Sequence, residues 1–257
     1  MTLSGPDADN YTATGLTGIT ATISPAPLTA TASAFTKVYD ATTSATPSLT
    51  ISGLIGSETL VVAGEGDLNS KNVLDANTLT VTSVSLSDGT HGGLASNYVL
   101  NAGQTAVAAV TPAVLSASGI TASSSIYGST ISPGSAVISG ILSGDTVAVG
   151  VGLENVSRST SNQVNAGSYK QALTNLGGQD ASNYTLVPFI TPNTNYVVTP
   201  LVLSGSIASG STNLGASLNP GVATLNNVIA GDVLSVTDVV VNIPGAAAGS
   251  KTGNAAG

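Results

Sequence analysis

Three short stretches of this chain, "ATISPAPL" (Ala21–Leu28), "AAVTPAVL" (Ala108–Leu115) and "YVVTPLVL" (Tyr196–Leu203), superpose on their prolines. Pro25, Pro112 and Pro200 stand 87 and 88 residues apart. Two residues before each lies Ile23, Val110 or Val198, and three after lies Leu28, Leu115 or Leu203. A second mark keeps the same step. "KVYDATTSATPSL" from Lys37 returns as "SIYGSTISPGSAV" from Ser125, carrying Tyr39 onto Tyr127, and then as "NLGASLNPGVATL" from Asn213, with Leu214 in the tyrosine's place. A third mark, "GLIGSETL" at Gly53, "GILSGDTV" at Gly140 and "NVIAGDVL" at Asn227, recurs every 87 residues. An Asn-Tyr pair closes the series at Asn10-Tyr11, Asn97-Tyr98 and Asn183-Tyr184. Independent marks that share one period mean a duplicated unit, and a duplicated unit restricts the fold more than any local propensity does.

The period sets the expected organisation. Residues 1–28 read as the closing strands of one unit, 29–115 and 116–203 as complete units, and 204–257 as an incomplete further unit. The chain therefore reads as a window on something longer. Unpaired strand edges invite addition from outside, so the segment 1–28 is expected to pair with the open C-terminal half of a neighbouring molecule.

Within each unit the pattern is that of strands. "GITATIS" (Gly18–Ser24) alternates Ile19, Ala21 and Ile23 with Thr20, Thr22 and Ser24, as a half-buried strand does. "TLTVTSVSLS" (Thr78–Ser87) begins in one phase with Leu79 and Val81 and continues in the other with Val84 and Leu86. A β-bulge at Thr82-Ser83, or a break into two strands, would return both halves to one face. "VLSVTDVVVNIP" (Val233–Pro244) is a further expected strand. Gly, Asn, Asp and Pro interrupt these runs at the spacing of a small sandwich or barrel. No stretch of helical length carries an apolar stripe. The expected fold is all-β: a tandem array of small immunoglobulin-like or β-grasp-like sandwiches forming an elongated rod, coupled without Gly/Ser linkers through prolines that fix φ and remove a donor.

Composition narrows the function. Only 7% of residues are charged, against about a quarter in an average soluble domain. The five basic side chains (Lys37, Lys71, Lys170, Lys251 and Arg158) are scattered singly in a chain of net charge −8, which leaves no patch for a row of phosphates and argues against nucleic acid. Cysteine is absent, so neither disulfides nor thiolate metal sites are available, and cysteine-free chains fit bacterial export. No apolar run approaches the roughly 20 residues of a membrane span, and the N-terminus lacks a basic-then-apolar leader pattern.

Chemistry is sparse. His91 is the single histidine, in the Gly-rich turn "DGTHGG", so a metal pair or a Ser-His-Asp triad has little to stand on. The thirteen acids are dispersed and offer no facing carboxylate pair for glycoside hydrolysis; Glu58, Asp145 and Asp232 read as turn formers. An enzyme is not expected. Calcium is the one cofactor the sequence raises, through Asp7, Asp9 and Asn10 in "GPDADN" and Asp180 in "GQDASN", since hard cations take oxygen ligands; Asx turns explain the same residues. The Thr positions drift too much between units for an ice-binding array. An intramolecular isopeptide bond would need a core lysine such as Lys37, yet Ser125 stands there in the next unit. Tyr169, Phe189 and Tyr196 are expected to fill the core, with stacking on carbohydrate as the alternative. Asn10, Tyr11, Tyr39, Asn97, Tyr98, Tyr127, Asn183 and Tyr184 form the repeat signature: Asn suits a turn or a positive φ, and the Tyr opens a strand with its ring in the core and its hydroxyl on a backbone group.

"KVYDATTSA" closely resembles the opening of the YDG-type repeats of bacterial adhesins, with Ala41 where Gly is expected, and "SIYGSTIS" resembles that of the related YGX-type, mainly-β repeats called MBG domains. The endings "LSGPDADNYTA", "LASNYVL" and "GGQDASNYTL", each leading to "SP" or "TP", are similar to the way such units close. The resemblance implies a secreted protein of the filamentous-haemagglutinin type, exported by two-partner secretion and held at the bacterial cell surface. It implies a stalk or spacer in attachment or biofilm formation, with neighbouring repeats as partners and no catalytic residues. The alternative it leaves open is that the repeats bind matrix polysaccharide or a host surface, or self-associate into a filament or surface layer.

Overall fold

A computed structural model describes residues 2–15, 20–213, 216 and 221–237. Among these the regular elements are nearly all β-strands, joined by three short 3-10 turns, and no α-helix occurs. The fold is mostly strand. The chain divides between Thr111 and Pro112 into two compact units.

The first unit holds β1 (Ala26–Pro27), β2 (Thr29–Ala32), β3 (Phe35–Val38), β4 (Ser44–Ala45), β5 (Leu49–Ser52), β6 (Leu60–Leu68), β7 (Thr78–Asp88), β8 (Tyr98–Val99) and β9 (Thr105–Thr111). Five of them form one sheet in the order β3-β9-β7-β6-β4, with β3 parallel to β9 and the other neighbours antiparallel. Two pairs complete the unit, β1 parallel to β8 and β2 antiparallel to β5. The phase slip in β7 is a bulge: Glu65 pairs with Ser83 and Gly66 with Val81, which leaves Thr82 unpaired. The strand stays continuous, and the Thr82 hydroxyl donates to the Glu65 carbonyl at 3.2 Å. One extra residue returns both halves to the same face, so Leu79 and Val81 are buried while Val84 and Leu86 are half-buried. Leu28, Tyr39, Leu68, Tyr98 and Val110 complete this core.

The second unit holds β10 (Ala113–Ile120), β11 (Ser123–Ile126), β12 (Ala136–Ser139), β13 (Ala148–Leu153), β14 (Gly167–Tyr169), β15 (Gln171–Gly177), β16 (Tyr184–Leu186), β17 (Tyr196–Thr199), β18 (Ser204–Ile207) and β19 (Ala223–Asn226). Its sheets run β12-β10-β16, β11-β17-β14, β13-β15 and β18-β19. A buried cluster of Val164, Tyr169, Tyr196 and Val198, with Tyr127, Ile131, Leu153 and Val156 packed on it, forms the main core.

The sequence period reappears as strand register. Ala26 pairs with Tyr98 and Ala113 with Tyr184. Phe35 pairs with Ala108 and Ser123 with Tyr196. The antiparallel pair Thr29–Ser52 becomes Ser116–Ser139 and then Ser204–Asn226. Equivalent residues thus meet equivalent partners in the two units and in the hairpin that follows.

Three expectations change. First, Thr20–Ser24 are not in a strand and Ile23 is 96% exposed; Gly18 and Ile19 lie outside the described residues. Its equivalents Val110 and Val198 are buried because β9 and β17 each lie between two strands, and residues 20–24 have no sheet to join. Second, residues 233–237 of the expected strand Val233–Pro244 are irregular, with Val233 85% exposed, and the remainder lies outside the described residues. Third, the seams expected at 28/29 and 115/116 come earlier. Ala26-Pro27 and Ala113–Leu115 pair with the tyrosine strands that follow them, so they belong to the unit ahead. Pro112 itself is exposed, one residue between β9 and β10, and Pro25 and Pro200 are exposed as well.

Candidate functional site

The recurring polar constellation lies where a buried tyrosine meets the third sequence mark. In the first unit the 3-10 turn Ala95–Asn97 delivers Tyr98 to the start of β8, with its ring 6% exposed. The Tyr98 hydroxyl accepts the Ile55 N–H at 3.1 Å and donates to the Glu58 carboxylate. In the second unit the turn Ala181–Asn183 delivers Tyr184. Its hydroxyl accepts the Leu142 N–H at 3.0 Å and donates to Asp145 Oδ2 at 2.6 Å. Each acceptor sits three residues beyond the amide donor, in a turn closed by Glu58 N–H on Ile55 O and by Asp145 N–H on Leu142 O. A tyrosine hydroxyl donates once and accepts at its lone pairs, so both capacities are used to clamp the turn onto the strand. The Glu58 hydrogen bond is the main cause that raises the Tyr98 phenol above its usual value. The Ile55 amide pulls the other way, while desolvation and the carboxylate charge add to the rise.

Glu58, Asp145 and Asp232 do form turns, and in addition they are the tyrosine acceptors. The sequence carried a signal for that role, the constant spacing of Ile55 to Glu58, Leu142 to Asp145 and Ile229 to Asp232. At the third copy the partner differs. Asp232 accepts the Tyr127 hydroxyl on Oδ2 and the Ser161 N–H on Oδ1 at 3.3 Å, and the Thr160 hydroxyl donates to the Gly231 carbonyl at 2.9 Å. The Tyr127 hydrogen bond first, then those from Ser161 and Ser159, hold the Asp232 carboxyl below its usual range against a smaller desolvation effect.

Asn10, Asn97 and Asn183 each close a three-residue 3-10 turn, their N–H groups donating to the carbonyls of Asp7, Leu94 and Asp180, although Leu94 enters its turn extended where the two Asp residues do not. None takes the positive φ that was the other option for an Asn here. Tyr11 follows its turn with the same extended backbone as Tyr98 and Tyr184, yet its ring is 71% exposed.

The YDG triplet itself is a folded corner. Tyr39 is buried at 3% exposure, its N–H donates to the Thr111 carbonyl at 2.8 Å, and Lys71 Nζ lies 5.9 Å from its ring centroid. Asp40 forms an ion pair with Lys37 at 2.8 Å and accepts the Thr42 N–H at 3.0 Å. Desolvation pushes the Asp40 carboxyl up, but the Lys37 and Thr42 hydrogen bonds outweigh it and hold the group below its usual range. Ala41 carries φ +64°; in the second unit the positive φ falls one position earlier, on Gly128 at +83°, which aligns with Asp40.

The carbohydrate candidates do not make a surface. Tyr169 and Tyr196 are 8% and 0% exposed, cross-strand partners within the second core. Their hydroxyls are held as well: Tyr169 donates to the Asn165 carbonyl at 2.7 Å and Tyr196 accepts the Ser132 N–H at 3.1 Å. Phe189 is half-buried. The stacking role is corrected for both tyrosines, because a ring enclosed on both faces has none to offer a sugar. Among the calcium candidates, Asp7 and Asp9 are exposed on one turn, while the Asp180 carboxylate accepts the Thr146 N–H at 2.8 Å. No group of three or more His, Cys, Asp or Glu side chains converges among the described residues. His91 is exposed at φ +57°, with Nδ1 3.0 Å from the Thr90 hydroxyl. Lys37 Nζ donates to Asp40, Thr42 and the Ser44 carbonyl.

Sequence reading missed the buried Gln171. Its Oε1 accepts the Gly134 N–H at 2.6 Å, and its Nε2 donates to the Thr121 carbonyl and to Asn195 Oδ1, each at 3.0 Å. Asn195 in turn donates to the Ile120 carbonyl at 2.9 Å. No periodic signal marks this network, because it occurs in one unit only.

Residues 24–106 match the family model of the YDG domain. No curated protein and no solved structure matches the chain.

Proposed function

We propose that this chain is a structural stalk or spacer segment of a secreted bacterial surface adhesin, an elongated row of like-built sandwich units with no catalytic role. The observation that carries the reading is the repeated register: the same strand pairs recur at the sequence period, and the same tyrosine clamps the same turn in successive copies. A polar group used alike in both complete units serves architecture, since a binding or catalytic site would distinguish one unit from the next. A YDG domain within the chain accords with such a setting.

The reading assigns the chain to the extracellular face of a bacterium, where its work is reach, stiffness and resistance to proteases. A glycan and matrix-polysaccharide array probed with the chain tests it. A spacer gives no specific binding. Saturable binding that disappears in Phe189→Ala, the half-buried ring among the stacking candidates, would replace the spacer with a binding module.

A further inference from the structure

The second unit carries an acceptor that the rest of the molecule shows how to fill. Leu201–Leu203 is the register equivalent of Ala26–Leu28 and Ala113–Leu115, the segments that receive the tyrosine strands β8 and β16 in parallel. Unlike them, Leu201–Leu203 is in no strand, and Val202 is 86% exposed. Leu203 is only half-buried, where Leu28 and Leu115 are 6% and 0% exposed. The Ile229 N–H has no partner among the described residues, although its equivalents at Ile55 and Leu142 each hold a tyrosine hydroxyl. Beside them lies a groove of about 380 Å³, lined by Leu201, Leu203, Val228, Ile229, Leu234 and Tyr127 among others. Asp232, at its edge, accepts the Tyr127 hydroxyl on Oδ2 and the Ser161 N–H on Oδ1, with the Ser159 and Ser161 hydroxyls nearby, and the four or so lone-pair sites of a carboxylate are not filled by those two bonds.

The same chain carries the matching donor. Asp7–Tyr11 forms the turn seen at Leu94–Tyr98 and Asp180–Tyr184, and Tyr11 leaves it with the same backbone. The ring is exposed, and its hydroxyl has no partner among the described residues. Six of the seven tyrosines are at least partly buried within the two units. Tyr11 is the one still open.

We infer that residues 7–14 of one molecule add as a parallel strand to Leu201–Leu203 of a second copy, with the Tyr11 ring in the groove and its hydroxyl donating to Asp232 and accepting from Ile229 N–H. Both observed clamps fix the register: Leu201 opposite Tyr11, Val202 opposite Thr12 and Leu203 opposite Ala13. Main-chain pairing gives such strand addition its affinity, and a side-chain pocket gives its specificity. Each molecule offers one donor and one acceptor on different surfaces, so the contact is head-to-tail and propagates as a chain unless it closes into a ring. The inference rests on strand register alone, and a failed array or scattering test of the spacer reading would leave it untouched.

Sedimentation velocity on the full chain over a wide dilution series tests it. The mass rises with concentration, and Tyr11→Phe, which removes a single exposed oxygen, weakens association about tenfold or more by deleting a hydrogen bond to a charged group. Because the chain lacks cysteine, Thr12→Cys and Val202→Cys proteins provide a register test that needs no unfolding. Mixed and oxidised, they form a disulfide-linked pair in excess of either protein alone, since directly paired strand positions lie within disulfide reach. A chain that stays monomeric throughout overturns the inference. So does association that ignores Tyr11→Phe and gives no excess of the mixed pair, because that places the contact on another surface.

Discussion

At the scale of single residues the account turns on hydroxyls and one backbone angle. Tyr184→Phe keeps the buried ring but removes the hydrogen bonds that its hydroxyl makes with the Leu142 N–H and the Asp145 carboxylate. The expected cost is about 1.5–3 kcal/mol, the usual range for a hydrogen bond to a charged group, read from the denaturation of the second unit. Ala41 holds a left-handed backbone that costs an L-residue about 1–2 kcal/mol, so Ala41→Gly is expected to stabilise the first unit by about 1 kcal/mol. A loss of stability there would mean that the methyl group packs usefully at this corner. Acid should act through Asp40 and Asp232, both held below the usual 3.8. A carboxyl with a depressed folded value contributes stability above its unfolded value and loses it as pH falls through the folded one. Melting temperature is therefore expected to hold down to about the usual carboxyl value and to fall below it. In Asp40→Asn that fall is shallower for the first unit. At the other end of the scale Tyr98, with its phenol raised by Glu58, keeps its clamp below the ordinary phenol range and loses it as pH climbs through the raised value.

At the scale of elements, β7 gives the sharpest test. Deleting Thr82 removes the one unpaired residue and sets Leu79, Val81, Val84 and Leu86 at alternate positions of a regular strand, so both halves keep their face and their pairing with β6. The expected loss is therefore small, about 1 kcal/mol, measured by thermal unfolding; a loss of about 3 kcal/mol or more, as large as emptying the buried Leu79 site, would show that the bulge itself holds the strand. Much of this level was legible in the sequence, because a change of hydrophobic phase is local and periodic. The limits were equally physical. Gly18–Ser24 alternates as well as Val107–Thr111 does, yet alternation states only which face a strand would bury, and Ile23 has no neighbouring strand to bury it. The acceptors Glu58, Asp145 and Asp232 were visible as turns but not as clamps, since the tyrosines they receive lie 40, 39 and 105 residues away along the chain. Tyr169 and Tyr196 read as core rings ahead of a sugar site, but no spacing in the sequence shows that β14 and β17 set them side by side. Gln171 left no trace in the pattern. A lone buried amide is defined by the loops around it rather than by spacing.

At the scale of the whole molecule the claim is that one unit of somewhat under ninety residues has been set end to end, so that duplicated sequence becomes duplicated pairing and then length. Small-angle X-ray scattering on the Tyr11→Ala protein, chosen so that strand exchange between molecules does not contribute, measures this most directly. Two complete units flanked by partial ones, about three unit lengths of roughly 30 Å in line, give a radius of gyration of roughly 25 Å or more. A value near the roughly 18 Å expected of a single compact body of 257 residues would contradict the account.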